Sequence, residues 1–437
     1  MTHRFAAIAG TAALCLAAAA PAHAQVIRTR PFPGLFGSGD PAKSVTQVDF
    51  VSFIAGGFET TTFALAQGKL GATDDQYSFG NLVFRGRLAH QARRTVFGAD
   101  AAATTSYYAG AGALSPLSLS GGAHFDGSLG RRGTFALRQS FSYSPYYVVA
   151  SVTGDDAGDL PIPPESAEPS VDPRVDLRSA RLSTKGYRSF ASTGRQVGRT
   201  GSLFASYGLS YVDFAPGVYD VLTQTPRGGY RQRFGRFTSF VASYGLQLYE
   251  YRNSGFDRLM GHNAMVGIGY DRPLSVWRRT TVGFNVSTGA VRQEGALSVH
   301  LNASGHLLRR FGRSWFAGVN YLRGQQVLEG FTQPFFTFSD TVAGSVSGRL
   351  PHDLMLSGRA SYSHSRFSID ALNNMFDTVS ASTRLQIPVM WALAAYVEGY
   401  YAQHDFQRRL GLLEGVPSSL ERFGTRAGVT VTVPVLR

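Results

Sequence analysis

The sequence predicts an all-β chain: a transmembrane, up-and-down antiparallel β-barrel of eighteen strands, or of sixteen should its weakest segment fall away. Three observations carry that prediction. Apolar and polar residues alternate over almost the whole chain in runs of roughly 10 to 14 residues, where strands of soluble proteins run nearer five or six. Charged residues make up only 16%, aromatics reach 12%, and glycine accounts for 50 of 437 positions; soluble domains carry about 25% charge and about 7% glycine. No segment past the N-terminus is apolar over the ~18 residues a spanning helix needs. The longest such run is about Val389 to Val397. In lipid that leaves a closed barrel, because every backbone polar group there must be paired.

The elements follow in order. His3 and Arg4 precede an apolar run from Phe5 to Ala20, and Pro21-Ala22-His23-Ala24 is a small-residue cleavage pattern. Residues 1–24 are therefore expected to be a secretory signal peptide. Cys15 is the only cysteine, lies inside that run and follows Leu14. A mature chain without thiols or a disulfide framework points to a bacterial envelope. Residues 25–45, with Pro31, Pro33, Gly34, Gly37, Gly39 and Pro41, read as a periplasmic tail too short for a plug with its own core. The barrel is assigned to 46–437.

Within it, Leu117, Leu119, Ala123 and Phe125 alternate with Ser118, Ser120, Gly122 and His124. Leu297, Val299, Leu301 and Ala303 alternate with Ser298, His300, Asn302 and Ser304. Such patterns place strands near 46–59, 76–90, 93–107, 116–128, 133–145, 179–193, 201–214, 237–251, 261–272, 279–291, 296–308, 314–326, 336–349, 354–366, 376–387, 391–403 and 423–435. That count is odd, and single-chain bacterial barrels have an even number. The stretch from Ala215 to Arg236 is too long for a short turn, so a strand at 222–234 is added.

Connections then alternate between short (such as 91–93, 129–132, 194–200, 235–236, 309–313, 350–353) and longer (60–75, 146–178, 252–260, 327–335, 367–375, 404–422). Short periplasmic turns and long outer loops are the outer-membrane arrangement. Trp277, Trp315 and Trp391 all fall in or beside short turns and are expected to form an interfacial girdle. Tyrosines gather at the other strand ends, among them Tyr107, Tyr211, Tyr249, Tyr251, Tyr362 and Tyr400.

On these residues the chain resembles bacterial outer-membrane β-barrel proteins of porin-like type. The last strand, with Arg426, Gly428, Val431 and Val433, is similar to the signal read by the barrel-assembly machinery, although it ends Val435-Leu436-Arg437 instead of on an aromatic. The turn Ser275-Val276-Trp277-Arg278-Arg279-Thr280 is similar to those of exopolysaccharide-associated barrels. The resemblance implies outer-membrane location, with outer-membrane lipids, the assembly machinery and small solutes as partners.

The formal charge is +13, carried by Lys43, Lys69, Lys185 and 39 arginines. Export and the scatter of these charges argue against nucleic acid. Arginine pairs such as Arg93-Arg94, Arg131-Arg132, Arg278-Arg279 and Arg309-Arg310 sit at short turns, as solvated turn residues or as attractors of anionic head groups. The acidic, proline-rich segment 146–178 cannot pack a core of its own and reads as an outer surface loop. Asp155-Asp156-x-x-Asp159 lacks the ligand spacing of a calcium loop, so no metal or cofactor is expected. The ten histidines are scattered; His262-Asn263, His300 with Asn302 and His404-Asp405 come nearest to a catalytic grouping, and no enzyme activity is expected.

Inward faces of Ser, Gly, Thr and Asn predict a water-filled lumen. Inward parity places Arg349, Arg359 and Arg384 on three consecutive strands in the periplasmic half, with Glu398 higher on the next strand and Arg426 near the top of the last. Arginine in a pore favours anions. The expected function is a porin-like channel for small hydrophilic solutes with mild anion preference. A non-transporting barrel, partner to an envelope polysaccharide or other export system, is the alternative.

Overall fold

A computed structural model describes residues 45–66, 69–108, 117–144, 183–214, 220–252, 258–273, 280–293, 296–312, 314–328, 335–367, 375–390, 392–406 and 419–436. The expected signal peptide, the N-terminal tail, Trp277, Trp391 and loop 146–178 lie outside them.

The described residues form eighteen strands: β1 (Val45–Ala66), β2 (Lys69–Gln91), β3 (Thr95–Tyr108), β4 (Ser118–Leu129), β5 (Gly133–Ser144), β6 (Thr184–Val197), β7 (Gly201–Phe214), β8 (Asp220–Arg233), β9 (Thr238–Arg252), β10 (Leu259–Pro273), β11 (Thr280–Gln293), β12 (Ala296–Phe311), β13 (Trp315–Leu328), β14 (Phe335–Arg349), β15 (Met355–Phe367), β16 (Met375–Met390), β17 (Leu393–Phe406) and β18 (Ser419–Leu436). Each pairs antiparallel with its neighbours in sequence, and β1 pairs with both β2 and β18, which closes the sheet. Closure leaves no edge along the shared height of the wall, so the ladder satisfies the backbone there without water. The segment added for parity at 222–234 is strand β8.

Side-chain parity is continuous around the closed sheet. On β1, Phe50, Ile54 and Phe58 are exposed and face outward, whereas Phe53, Ala55 and Glu59 are buried and face inward. Register carries that phase from strand to strand. Outward Val266 and Ile268 on β10, Val299 and Leu301 on β12 and Val397 on β17 are likewise exposed. An apolar face turned outward around the ring matches the hydrocarbon layer of a bilayer and has no counterpart in a soluble sheet.

Two expectations change. The loop expected at 60–75 is mostly strand: β1 and β2 are 22 and 23 residues long and pair up to Ala66↔Lys69. Among the described residues, pairing of β1 with β18 reaches Thr61↔Arg422 and that of β2 with β3 reaches Phe79↔Tyr108, and β1 and β2 pair with each other beyond both. The run Thr60-Thr61-Thr62-Phe63 favours extended backbone, and the register slips between Thr61 and Phe63. Secondly, tyrosines do gather at strand ends, but not all on the lipid face. Tyr107 and Tyr362 point outward and are exposed, whereas Tyr249, Tyr251 and Tyr400 point inward and are buried. Position along a strand decides the level, while parity decides the face. Trp315 opens β13 on the outward parity, its ring lying where a Cβ on Gly348 of β14 would be.

Candidate functional site

The inner wall is where the chain's charges converge. Arg384 on β16, Glu398 on β17 and Arg426 on β18 are direct cross-strand neighbours, although the sequence separates them by several residues along their strands. Counting from strand ends misses this adjacency because β16 runs on to Met390, with a register shift between Pro388 and Met390.

Glu398 is 1% exposed. Its Oε2 accepts from Arg426 Nη2 at 2.8 Å and Nε at 3.2 Å, and Arg384 Nη1 lies 4.0 Å away. The Arg384 guanidinium also sits 3.8 Å from the centroid of the Tyr396 ring. Toward the long-loop end of the same wall, Glu59 on β1 accepts from Arg422 Nη2 at 2.7 Å and from the Tyr400 hydroxyl at 2.6 Å. Arg422 Nε lies 2.7 Å from the other Glu59 oxygen. Opposite charges in contact offset much of the desolvation that burial imposes on each.

The other two expected arginines are more open. Arg359 faces inward between Ser345 and Ser382, one pleat closer to the long-loop end than Arg384, and is exposed. Arg349 ends β14 at the short-turn rim, opposite Met355, and is exposed.

A second inward set was not singled out from sequence. Arg87 on β2, Arg138 on β5, Arg188 on β6 and Arg231 on β8 share the inward parity and are exposed. Arg138 and Arg188 have no ion-pair partner among the described residues. Arg227, two pleats from Arg231, donates from Nη2 to Ser243 Oγ at 2.9 Å and toward Met265 Sδ at 3.5 Å. The signal was in the sequence: Arg138 alternates with Phe135, Leu137 and Phe141, and parity alone points it inward.

The histidine groupings separate. His404 and Asp405 are adjacent on β17 and so face opposite sides; His404 points inward, with Nδ1 3.0 Å from Thr378 Oγ1. His262 points outward, 2.7 Å from the Tyr244 hydroxyl. His300 and Asn302 share the inward face. The close His–Asp contact among the described residues is one that sequence spacing could not show. His364 Nδ1 lies 2.7 Å from Asp377 Oδ1 across β15 and β16, on the outward face. Arg366 Nε donates to the other His364 nitrogen at 3.1 Å, which leaves that nitrogen occupied.

No family model matches the chain, and no curated protein matches it. Among solved structures it is similar to OpdL of Pseudomonas aeruginosa, at 13% identity and a TM-score of 0.43, over 90% of this chain and 99% of that one. It is also similar to OccK2 (OpdF) of Pseudomonas aeruginosa, in a complex with glucuronate, at 10% identity and a TM-score of 0.42, over 90% and 98%. A third, OccAB2 of Acinetobacter baumannii, has 11% identity and a TM-score of 0.42, over 89% and 98%.

Proposed function

We propose that the protein is an outer-membrane channel for small hydrophilic solutes with a mild preference for anions, its short turns facing the periplasm. The observation that carries this reading is the exposed, inward-facing arginine set: Arg87, Arg138, Arg188, Arg231, Arg349 and Arg359. Arginine keeps its charge at any working pH, and several within one water-filled passage raise the local concentration of anions. In this reading Arg349 and Arg359 line the passage directly. Arg384, Glu398 and Arg426 form a fixed part of its wall, with a net single positive charge. Between the charges the inward face carries many small residues, such as Ser202, Ser206, Ser210, Ser345 and Ser382, alongside inward rings such as Phe53, Tyr249 and Tyr251.

The test is conductance of the refolded protein in a planar bilayer under a potassium chloride gradient. A reversal potential on the chloride side is expected. A potential on the potassium side overturns the anion preference, and no conductance overturns the channel. One observation favours the second reading, a non-transporting barrel serving an envelope polysaccharide or other export system. Inward-facing Ser363, Ser365 and Thr378 are completely buried, so part of the interior near the long-loop end is filled.

A further inference from the structure

Three of the short turns are copies of one design. Leu129-Gly130-Arg131-Arg132-Gly133 and Val197-Gly198-Arg199-Thr200-Gly201 each turn the chain through three residues, and Phe311-Gly312-Arg313-Ser314-Trp315 repeats their apolar-Gly-Arg sequence between β12 and β13. Their last strand pairs are Leu129↔Gly133, Val197↔Gly201 and Phe311↔Trp315. Gly130, Gly198 and Gly312 have φ of +67°, +69° and +59°, the left-handed region where a side chain is strained. Phe234-Gly235-Arg236 repeats the same apolar-Gly-Arg sequence between β8 and β9.

Each copy is amphipathic in the same sense. Leu129, Val197, Phe234 and Phe311 stand on the outward, lipid-side parity and are 62%, 46%, 72% and 44% exposed. Arg131, Arg199 and Arg236 follow two residues later and are exposed. Arg309 lies with its guanidinium 4.8 Å from the centroid of the Phe311 ring. Arg93 and Arg94 add two more exposed cations at the turn between β2 and β3. The sequences of these five turns contain no carboxylate. At the other rim several outward cations among the described residues meet carboxylates, Lys185 with Asp213 at 3.4 Å, Arg323 with Asp340 at 3.6 Å and Arg252 with Glu250 at 3.8 Å, while Arg366 donates to His364. Among the described residues, exposed arginines recur at the short-turn rim in a fixed turn geometry that repeats them.

We propose that the apolar-Gly-Arg turns bind the phosphate of anionic phospholipids in the leaflet at the short-turn end. The apolar side chain enters the acyl layer, and the guanidinium two residues on takes phosphodiester oxygens in its planar fork. The inference rests on the transmembrane placement and on the periplasmic position of these turns. Lipid A offers the same phosphate chemistry from the opposite leaflet, and the test separates the two.

The full chain, refolded in detergent, is offered phosphatidylglycerol, phosphatidylcholine and lipid A in equal amounts, and bound lipid is counted by native mass spectrometry. Phosphatidylglycerol is expected to exceed phosphatidylcholine by about fivefold or more, at about 1 kcal/mol per interfacial arginine. A triple variant, Arg131→Gln with Arg199→Gln and Arg236→Gln, should lose that preference while its β-type circular dichroism persists. The single variant Arg131→Gln, which disturbs the fold least, should lose part of it. Equal retention of the two phospholipids, an unchanged triple variant, or lipid A displacing phosphatidylglycerol overturns the proposal. Conductance has no part in this readout, so it separates from the fate of the channel; a chain that enters no detergent or bilayer as a barrel would sink the membrane placement itself.

Discussion

The two sectors of the inner wall use the same residue for opposite ends. Between β16 and β1, Arg384, Arg422 and Arg426 lie against Glu398 and Glu59 and are largely withdrawn from water. From β2 to β8, Arg87, Arg138, Arg188 and Arg231 have the same inward parity yet remain exposed. What differs for Arg138 and Arg188 is the residue opposite. Arg426 faces a glutamate across the ladder, whereas Arg138 faces His124 and Arg188 faces Ser140. A guanidinium beside a carboxylate surrenders its field to one neighbour and becomes a cross-link between strands; one beside a serine keeps its field for the lumen.

The largest effect expected from that contrast is at Glu398. Glu398→Gln keeps the shape and removes the charge, leaving two buried guanidinium groups to repel each other. The cost should be roughly 3 kcal/mol, as when one partner of a buried pair is lost. Urea unfolding of the refolded barrel in detergent measures it. A variant as stable as the parent would mean that the paired sector is no cross-link, and the contrast between sectors would dissolve.

Next comes the open sector. Arg138→Gln combined with Arg188→Gln should move the reversal potential toward potassium while stability stays within about 0.5 kcal/mol, the range of surface substitutions. Arg384→Gln, by contrast, should lower stability and move the potential less than the double change does. If Arg384→Gln moves it more, the selective field originates in the paired sector, and the exposed arginines are bystanders.

These distinctions show which part of the molecule the sequence discloses. Alternation of the kind in Leu297–Ser304 is a local property, and it located every strand, with the ends of β1 and β2 at 60–75 the largest miss. Parity even recovered β8, whose Pro226, Gly228 and Gly229 weaken its pattern. Face was legible too, which is why Arg359 and Arg384 were expected inside. Adjacency across strands was not. That Arg384, Glu398 and Arg426 stand in one row depends on register between strands, a tertiary quantity that tilt and a slip at Pro388 alter. The β1–β2 extension was hidden for a related reason: it is a pairing between two strands, up to Ala66↔Lys69, that neither strand's own residues disclose. The repeated Gly-Arg turns, however, were visible in the sequence as Gly130-Arg131, Gly198-Arg199 and Gly312-Arg313.

The smallest effect separates the sectors by how much room each leaves. Both contain a ring laid against a glycine of the neighbouring strand. In the open sector a Cβ on Gly98 would fall 2.1 Å from the His124 ring; in the paired sector a Cβ on Gly424 would fall 2.5 Å from the Tyr400 ring and 2.9 Å from the Phe58 carbonyl oxygen. His124 is exposed and can swing into the lumen, so Gly98→Ala should cost less than about 1 kcal/mol. Tyr400 is buried with its hydroxyl on Glu59, and the Phe58 carbonyl is backbone, so neither can yield cheaply. Gly424→Ala should therefore cost about 2 kcal/mol, as overpacking does. Unfolding midpoints of the two variants, compared in the same detergent, decide it. Equal costs would show that the open sector is as tightly built as the paired one, and that the exposure of its arginines reflects their length rather than the space around them.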